Sequence, residues 1–221
     1  MSQAKFLKHL CDFNQHFKPT ARRPVSLCYA TQVSNNLAID HQQKPSHRSE
    51  QNQQTLQEYR QKIQRVYDQT VKRYNQSRDE LRTQRYLTRF MQYLPKQAHV
   101  LDLGCGAGIP IDDVLIKRGY LVTGLDFSAQ QLALARHNCP RAAYQQLDLA
   151  ELTNDQFSAD GIVCLYTIFH LPRVQHAQWL KTISTYLPKN APLLISMGDQ
   201  PFEGWHEFHD QEIWSSHFGP T

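Results

Sequence analysis

The stretch His99-Val-Leu-Asp-Leu-Gly-Cys-Gly-Ala-Gly-Ile-Pro110 decides how this chain folds. Val100, Leu101 and Leu103 make an apolar run of the length of one buried strand. Gly104, Gly106 and Gly108 then remove side chains where a ligand must come close to the backbone. Pro110 suits the first turn of a following helix, and Asp112 and Asp113 complement the positive end of that helix. Strand, glycine turn and helix in this order expose backbone N–H groups at the carboxyl edge of a sheet, where open α/β proteins bind nucleotides.

Two ligand classes compete for such a turn. A dinucleotide fingerprint is G-x-G-x-x-G, which places Ile109 where the third glycine belongs. The spacing here is G-x-G-x-G, with an acid, Asp102, two residues before the first glycine. That acid would repel a pyrophosphate but can hold an ammonium group, directly or through water. The string resembles the first signature motif of class I S-adenosylmethionine (SAM)-dependent methyltransferases. In that resemblance Asp102 serves the methionine end of SAM, while Gly104, Cys105, Gly106 and Gly108 give it backbone contact. Cys105 is then a small tolerated side chain and not a nucleophile.

The next hundred residues of the chain agree with the resemblance in order and distance. Tyr120 to Asp126 reads as a second strand ending in an acid, which can accept both ribose hydroxyls. Phe127 comes next, against the adenine face, and Ser128 with Gln131 makes a capping box for the next helix. Ala143 to Asp148 reads as a third strand, and the family's acid at this place meets the adenine amino group, a role that falls to Asp148 and Leu149. A bland reading stands beside this one, since an aspartate there also serves as a helix cap. Gly161 to Tyr166 is an apolar fourth strand, and Leu193 to Met197 is the fifth. Leu165-Tyr-Thr-Ile-Phe-His170 matches the family's segment after the fourth strand, which implies cofactor contact for Leu165 and a position near the methyl group for His170. A histidine beside Phe169 and Leu171 can equally be a packed, hydrogen-bonded core residue.

Upstream of the domain, Tyr59, Ile63, Val66, Tyr67, Val71 and Tyr74 recur at helical spacing. Tyr67-Asp-Gln-Thr-Val-Lys-Arg-Tyr74 resembles the Y-D-x-x-A-x-x-Y segment that precedes many such domains, with Val71 in place of the usual Ala. The resemblance makes residues 55–95 a helical lid whose tyrosines lie over the pocket. The roles it implies are Tyr74 on the cofactor, His170 as candidate base, and Tyr67 and Tyr166 as positioning groups. The alternative is a helix that merely packs on the sheet.

Composition sets the bounds. At 221 residues the chain has room for one α/β domain and an appendage. Five scattered cysteines without zinc-ribbon spacing suit reduced thiols and a cytoplasmic protein. No apolar run reaches the length of a membrane span, and the N-terminus lacks a signal-peptide core. The net charge of +4 hides an asymmetry: residues 1–98 carry 17 Lys and Arg against 7 Asp and Glu, whereas residues 99–221 carry 7 against 13. The basic residues match no nucleic-acid motif and read as a solvated face. No Pro-Pro-aromatic signature of base N-methylation follows the fourth strand, which favours a small-molecule acceptor over a base in DNA or RNA and leaves an RNA ribose or a protein open as acceptor. Phe6, Leu7, Leu10, Phe13 and Phe17 suggest a short helix within an N-terminal extension, residues 1–54, that is partly disordered. Residues 42–54 read as a linker.

The carboxyl end departs from the family. Gly198 to Gly204 resembles the loop after the fifth strand, and Ile213 to Phe218 the approach to a last helix. The last helix and two further strands are then lacking, which leaves the fifth strand as an edge that favours pairing into a homodimer, unless the N-terminal extension covers it. Glu203, His206, Glu207, His209, Asp210 and His217 lack metal-site spacing, so no metal is expected. With Trp205, Phe208, Trp214 and Phe218 they read as the mouth of a substrate pocket.

The expectation is a doubly wound parallel sheet in the order 3-2-1-4-5, with an N-terminal helical extension and a SAM-binding domain over residues 96–221. The expected activity is methyl transfer from SAM to a small molecule. A SAM-binding protein without catalysis and a nicotinamide oxidoreductase are the alternatives.

Overall fold

The computed structural model describes residues 25–30, 47–76, 80–198 and 200–217. Its strands are β1 (Val25–Ala30), β2 (His99–Leu103), β3 (Leu121–Asp126), β4 (Ala143–Gln146), β5 (Gly161–Cys164), β6 (Leu193–Gly198), β7 (Phe202–Phe208) and β8 (Gln211–His217). Its α-helices are α1 (His47–Gln76), α2 (Glu80–Met91), α3 (Ile111–Lys117), α4 (Ala129–Asn138) and α5 (Arg173–Ser184), with short 3₁₀ turns at Leu149–Glu151 and Ile168–His170.

Successive side chains along a strand point to opposite faces, and the core shows this directly. Leu101, Leu103, Ile162, Cys164, Leu193 and Ile195 lie on one face, covered by Trp179, Leu180 and Ile183 of α5. Val100, Val122, Val163 and Leu194 lie on the other, against Leu87 and Phe90 of α2 and Ile111 and Leu115 of α3. A sheet buried on both faces needs apolar residues at consecutive positions, which is why these strands read as continuous apolar runs.

The sheet runs β1-β6-β5-β2-β3-β4. From β6 to β4 every neighbouring pair is parallel, so the five strands of the domain have the order 3-2-1-4-5. The carboxyl ends of β2 and β5, neighbours on either side of the point where the order reverses, deliver the glycine turn and the His170 segment to one crevice.

The sixth strand departs from the expected open edge. β1 pairs antiparallel with β6, from Val25 opposite Gly198 to Ala30 opposite Leu193. The edge that argued for a homodimer is therefore occupied by the chain's own N-terminal segment, and the backbone groups that would recruit a second copy are paired.

Two further expectations are corrected. Residues 47–54, read as linker, are the start of α1; Gln, Glu and Arg support a helix without leaving an apolar stripe to reveal it. The segment after β6 is not a loop leading to a helix. β7 and β8 form a hairpin, separate from the main sheet, with Phe208 opposite Gln211. The two residues between them, His209 and Asp210, have φ of 51° and 63°. Positive φ at both central positions is what the right-handed twist of a two-residue hairpin demands, and His-Asp is a weak sequence signal for it. The hairpin packs on α1, where Ile213 and Trp214 join Ile63, Val66 and Tyr67 in a third apolar cluster. The helix around Phe6 to Phe17, the rest of the extension and Phe218 lie outside the described residues. Among the described residues no helix is long and apolar enough to cross a membrane.

Candidate functional site

The glycine turn is shaped by what stands behind it. Gly104 has φ of 81°, and a Cβ there would lie 2.1 Å from Thr167 Oγ1. Gly108 has φ of 75° and faces the protein, where a Cβ would sit 2.8 Å from the Tyr144 hydroxyl. That hydroxyl donates to Asp112 Oδ2 at 2.8 Å, so β4 and α3 brace the turn from behind. Burial beside the Asp112 charge pushes the Tyr144 phenol far above its ordinary value, which keeps it a donor. Burial, with the charges of Asp112, Asp126 and Asp102, likewise raises the Cys105 thiol. A buried thiol so held is a poor nucleophile.

A cavity lies over the turn. Gly104 and Gly106 line it from β2, Asp126 and Phe127 from β3, and Asp148 and Leu149 from the segment after β4. Tyr166 and His170 line it from the segment after β5, and Tyr67 and Tyr74 from α1. Ten of the fifteen candidate site residues thus meet at one place. Asp102, Cys105, Gly108, Ser128 and Leu165 lie behind this wall, and Asp102 is fully buried.

Asp126 organises the crevice. Its Oδ2 accepts from the Gly106 N–H at 2.9 Å and its Oδ1 from the Ser128 N–H at 2.8 Å. A carboxylate has about four lone-pair sites, so both oxygens keep capacity for a ligand's hydroxyls. Ser128 caps α4 by accepting from the Gln131 N–H at 3.1 Å, as its spacing predicts. Asp148 does two things: its Oδ1 accepts from the Ala150 N–H at 2.9 Å, capping the 3₁₀ turn, while its Oδ2 lies 3.4 Å from Arg60 Nε. Trp179 fixes the same turn by donating to the Leu149 carbonyl at 2.8 Å.

His170 sits between three elements. Its Nε2 is 2.8 Å from the Tyr67 hydroxyl and its Nδ1 is 3.1 Å from the Trp214 carbonyl. A carbonyl only accepts, so Nδ1 carries the proton, and Nε2 of the neutral ring accepts from Tyr67. Burial lowers the His170 pKa from 6.5 to about 4, against the opposing effect of the Trp214 hydrogen bond. Between pH 6.5 and about 4 the unfolded chain therefore binds more protons than the folded one, and stability falls as the pH drops through that window. Comparing urea unfolding at pH 7.5 and 5 for wild type and His170→Asn is expected to show a smaller acid loss in the variant, by about 2 kcal/mol. Equal acid losses would mean that the histidine is already charged at pH 5.

Tyr166 has φ of 60°, a costly conformation for a side chain of this size. Its N–H donates to the fully buried Ser196 hydroxyl at 2.5 Å, which holds it there and aims the ring at the cavity.

Several residues that the sequence does not mark as site residues complete the cavity. Arg60 and Ile63 line the cavity from α1, and Gln131, Thr167, Ile168 and Leu171 line it from the domain. Gln64 donates to the Phe127 carbonyl at 2.7 Å, and Asp68 bonds the Ser128 hydroxyl. Arg60, Gln64, Tyr67 and Asp68 lie four, three and one residues apart, which puts them on one face of α1. Through that polar face and the apolar stripe beside it, α1 packs on the domain. The hairpin acids and histidines stand apart from the cavity. Among the described residues no group of three or more His, Cys, Asp or Glu is placed to hold a metal ion.

Residues 100–190 match a family model described as a methyltransferase domain. This part of the chain is similar to a methyltransferase domain. The match displaces the nicotinamide alternative. The chain is 30% identical over 114 residues to a ubiquinone biosynthesis O-methyltransferase of Coxiella burnetii, an alignment covering 50% of this chain and 47% of the relative. It is 28% identical over 130 residues to the enzyme of the same name in Histophilus somni, covering 52% and 53%. The chain thus spans about half the length of the curated relatives it matches. Among solved structures, a DhpI complex with S-adenosylhomocysteine (SAH) aligns with a TM-score of 0.59 at 18% identity, over 72% of this chain and 79% of that one. A SAM-dependent methyltransferase from Methanosarcina mazei aligns at 0.50 and 21%, over 58% and 76%. These likenesses show the fold alone, a Rossmann-like one shared with those proteins.

Proposed function

We propose that this chain transfers a methyl group from SAM to a hydroxyl of a small molecule. The observation that carries the reading is one cavity with Asp126 and the glycine turn at one side and the Tyr67–His170 pair at the other. The residues fit the cofactor. Asp126 retains acceptor capacity for a pair of hydroxyls, Gly104 and Gly106 permit close backbone approach, Asp148 offers an acceptor for an amino group, and Phe127 a flat apolar face. Asp102, Cys105, Gly108, Ser128 and Leu165 support that wall from behind.

SAM supplies a methyl carbon already activated by its sulfonium. The protein's part is to align the acceptor, exclude water and receive a proton. Neutral His170 has its Nδ1 proton committed to Trp214, which leaves Nε2 as the base. Tyr67 stands on that nitrogen, so an acceptor hydroxyl bonded to the Tyr67 oxygen gives up its proton there as the tyrosine's own proton passes to Nε2. Tyr166 and Tyr74 shape the pocket around that exchange. The names of the sequence relatives, O-methyltransferases, support a hydroxyl acceptor. Three free buried cysteines, Cys105, Cys139 and Cys164, support residence in the reducing cytoplasm.

The test is a calorimetric titration with SAH, followed by transfer of labelled methyl from SAM to a panel of phenols and catechols. Micromolar SAH binding is expected, with a transfer rate that His170→Asn and Tyr67→Phe each lower by about 10² to 10⁴. Tight SAH binding with no transfer to any acceptor would replace this reading with that of a SAM-binding protein. A folded protein that ignores SAH would remove both.

A further inference from the structure

A second cavity adjoins the first, and Arg60 and His170 line both. Tyr59 and Trp214 also line it, with ring centroids 6.1 Å apart and planes within 20° of parallel. Gln57 and Gln175 contribute amides, and Glu151 stands at the exposed rim. Arg60 is the cation among these residues.

Arg60 is incompletely satisfied. Its Nε lies 3.4 Å from Asp148 Oδ2, within ion-pair range, yet makes no hydrogen bond among the described residues although the atom is buried. A guanidinium carries five N–H donors in a rigid fork, suited to two parallel bonds to a carboxylate. The stretched pair with Asp148 uses little of that capacity. The Asp148 carboxylate is in turn committed at its other oxygen to the Ala150 N–H.

We propose that Arg60 binds the carboxylate of a planar, anionic methyl acceptor in this second cavity. The inference rests on reading the first cavity as the cofactor site and deepens it by naming the substrate class. Because His170 borders both cavities, a molecule lying between Arg60 and His170 has its charged end at the fork and its reacting hydroxyl at the Tyr67–His170 pair. The flat rings of Tyr59 and Trp214 offer a planar body a stacking wall. Glu151 opposes an anion only weakly, since it is exposed and screened by water and salt.

The probes are 3-hydroxybenzoate, 3-hydroxybenzamide and 3-hydroxybenzylamine, which share a ring and hydroxyl and differ in charge. Their affinities are read by NMR titration of the ligand-free and the SAH-loaded protein. The carboxylate is expected to bind at least fivefold tighter than the amide, and the amine more weakly than either. Arg60→Gln removes the preference and Arg60→Lys keeps part of it, since the charge remains but the fork is lost. Equal binding of acid and amide, a preference for the amine, or a preference that survives in Arg60→Gln would each overturn the proposal. Failure of SAH to bind would overturn the cofactor reading instead, while the charge preference is read on the ligand-free protein in its own right.

Discussion

Asp126→Ala is expected to abolish SAH binding, with affinity falling at least a hundredfold in a calorimetric titration. The side chain closes β3 and reaches back across the crevice. One oxygen holds the Gly106 N–H at 2.9 Å and the other the Ser128 N–H at 2.8 Å. Replacing it with alanine removes two charged acceptors from the ligand and also unties the glycine turn from the start of α4. Hydrogen bonds to charged groups contribute about 1.5–3 kcal/mol each, so losing two toward a ligand corresponds to two decades or more in affinity. Asp126→Asn separates the two effects. Its amide oxygen can still accept from one N–H, but its NH₂ faces the other donor, so the turn is held at one point only. Binding intermediate between wild type and alanine is expected, with a melting temperature closer to wild type. SAH affinity unchanged in Asp126→Ala would show that the cofactor lies elsewhere.

Gly104→Ala is expected to cost about 2–4 kcal/mol of stability and to remove cofactor binding with it. Two penalties combine. The residue has φ of 81°, and its new Cβ would stand 2.1 Å from Thr167 Oγ1 and 2.6 Å from Thr167 Cγ2. Thr167 is itself tied, donating to the Leu165 carbonyl at 3.0 Å, and it opens the 3₁₀ turn that carries His170. Pushing it away therefore displaces the candidate base as well as the turn. Gly119→Ala is the control. That glycine has φ of 86°, and a methyl group added to it meets nothing within 4 Å, so it incurs only the backbone strain, about 1 kcal/mol. Denaturant unfolding of the two variants measures the difference. Equal losses would show that the Thr167 contact relaxes freely.

The domain is legible in the sequence because its signals are local. Alternating faces and apolar runs mark the strands, and the glycine spacing with its preceding acid marks the ligand class. Acids at Asp126 and Asp148 stand where strands end. The right-handed crossover rule then reduces the possible orders of five parallel strands to a few, and the resemblance of the motifs selects 3-2-1-4-5 among them. The tyrosines of α1 are legible by spacing and Asp68 by the segment that it shares with Tyr67, whereas Arg60 and Gln64 are not, because polar residues on a long helix look the same whether they meet solvent or a pocket. The hairpin is hidden because His209-Asp210 lacks the usual glycine, although the backbone conformation there is that of a tight hairpin turn.

The individual strands, the glycine turn and the ligand class that it suggests are written in the chain itself, since each signal lies in residues within a few positions of one another. It took the packed structure to decide that β1 covers the edge of β6, that the hairpin carbonyl of Trp214 sets the tautomer of His170, and that Arg60 stands between two cavities. One physical reason is common to all three. The β1–β6 pairing and the Trp214 contact use backbone groups that every residue type carries, and Arg60 meets its partner 88 positions along the chain. Such contacts leave no local pattern, because their energy depends on where the packed sheet and helices bring the groups together.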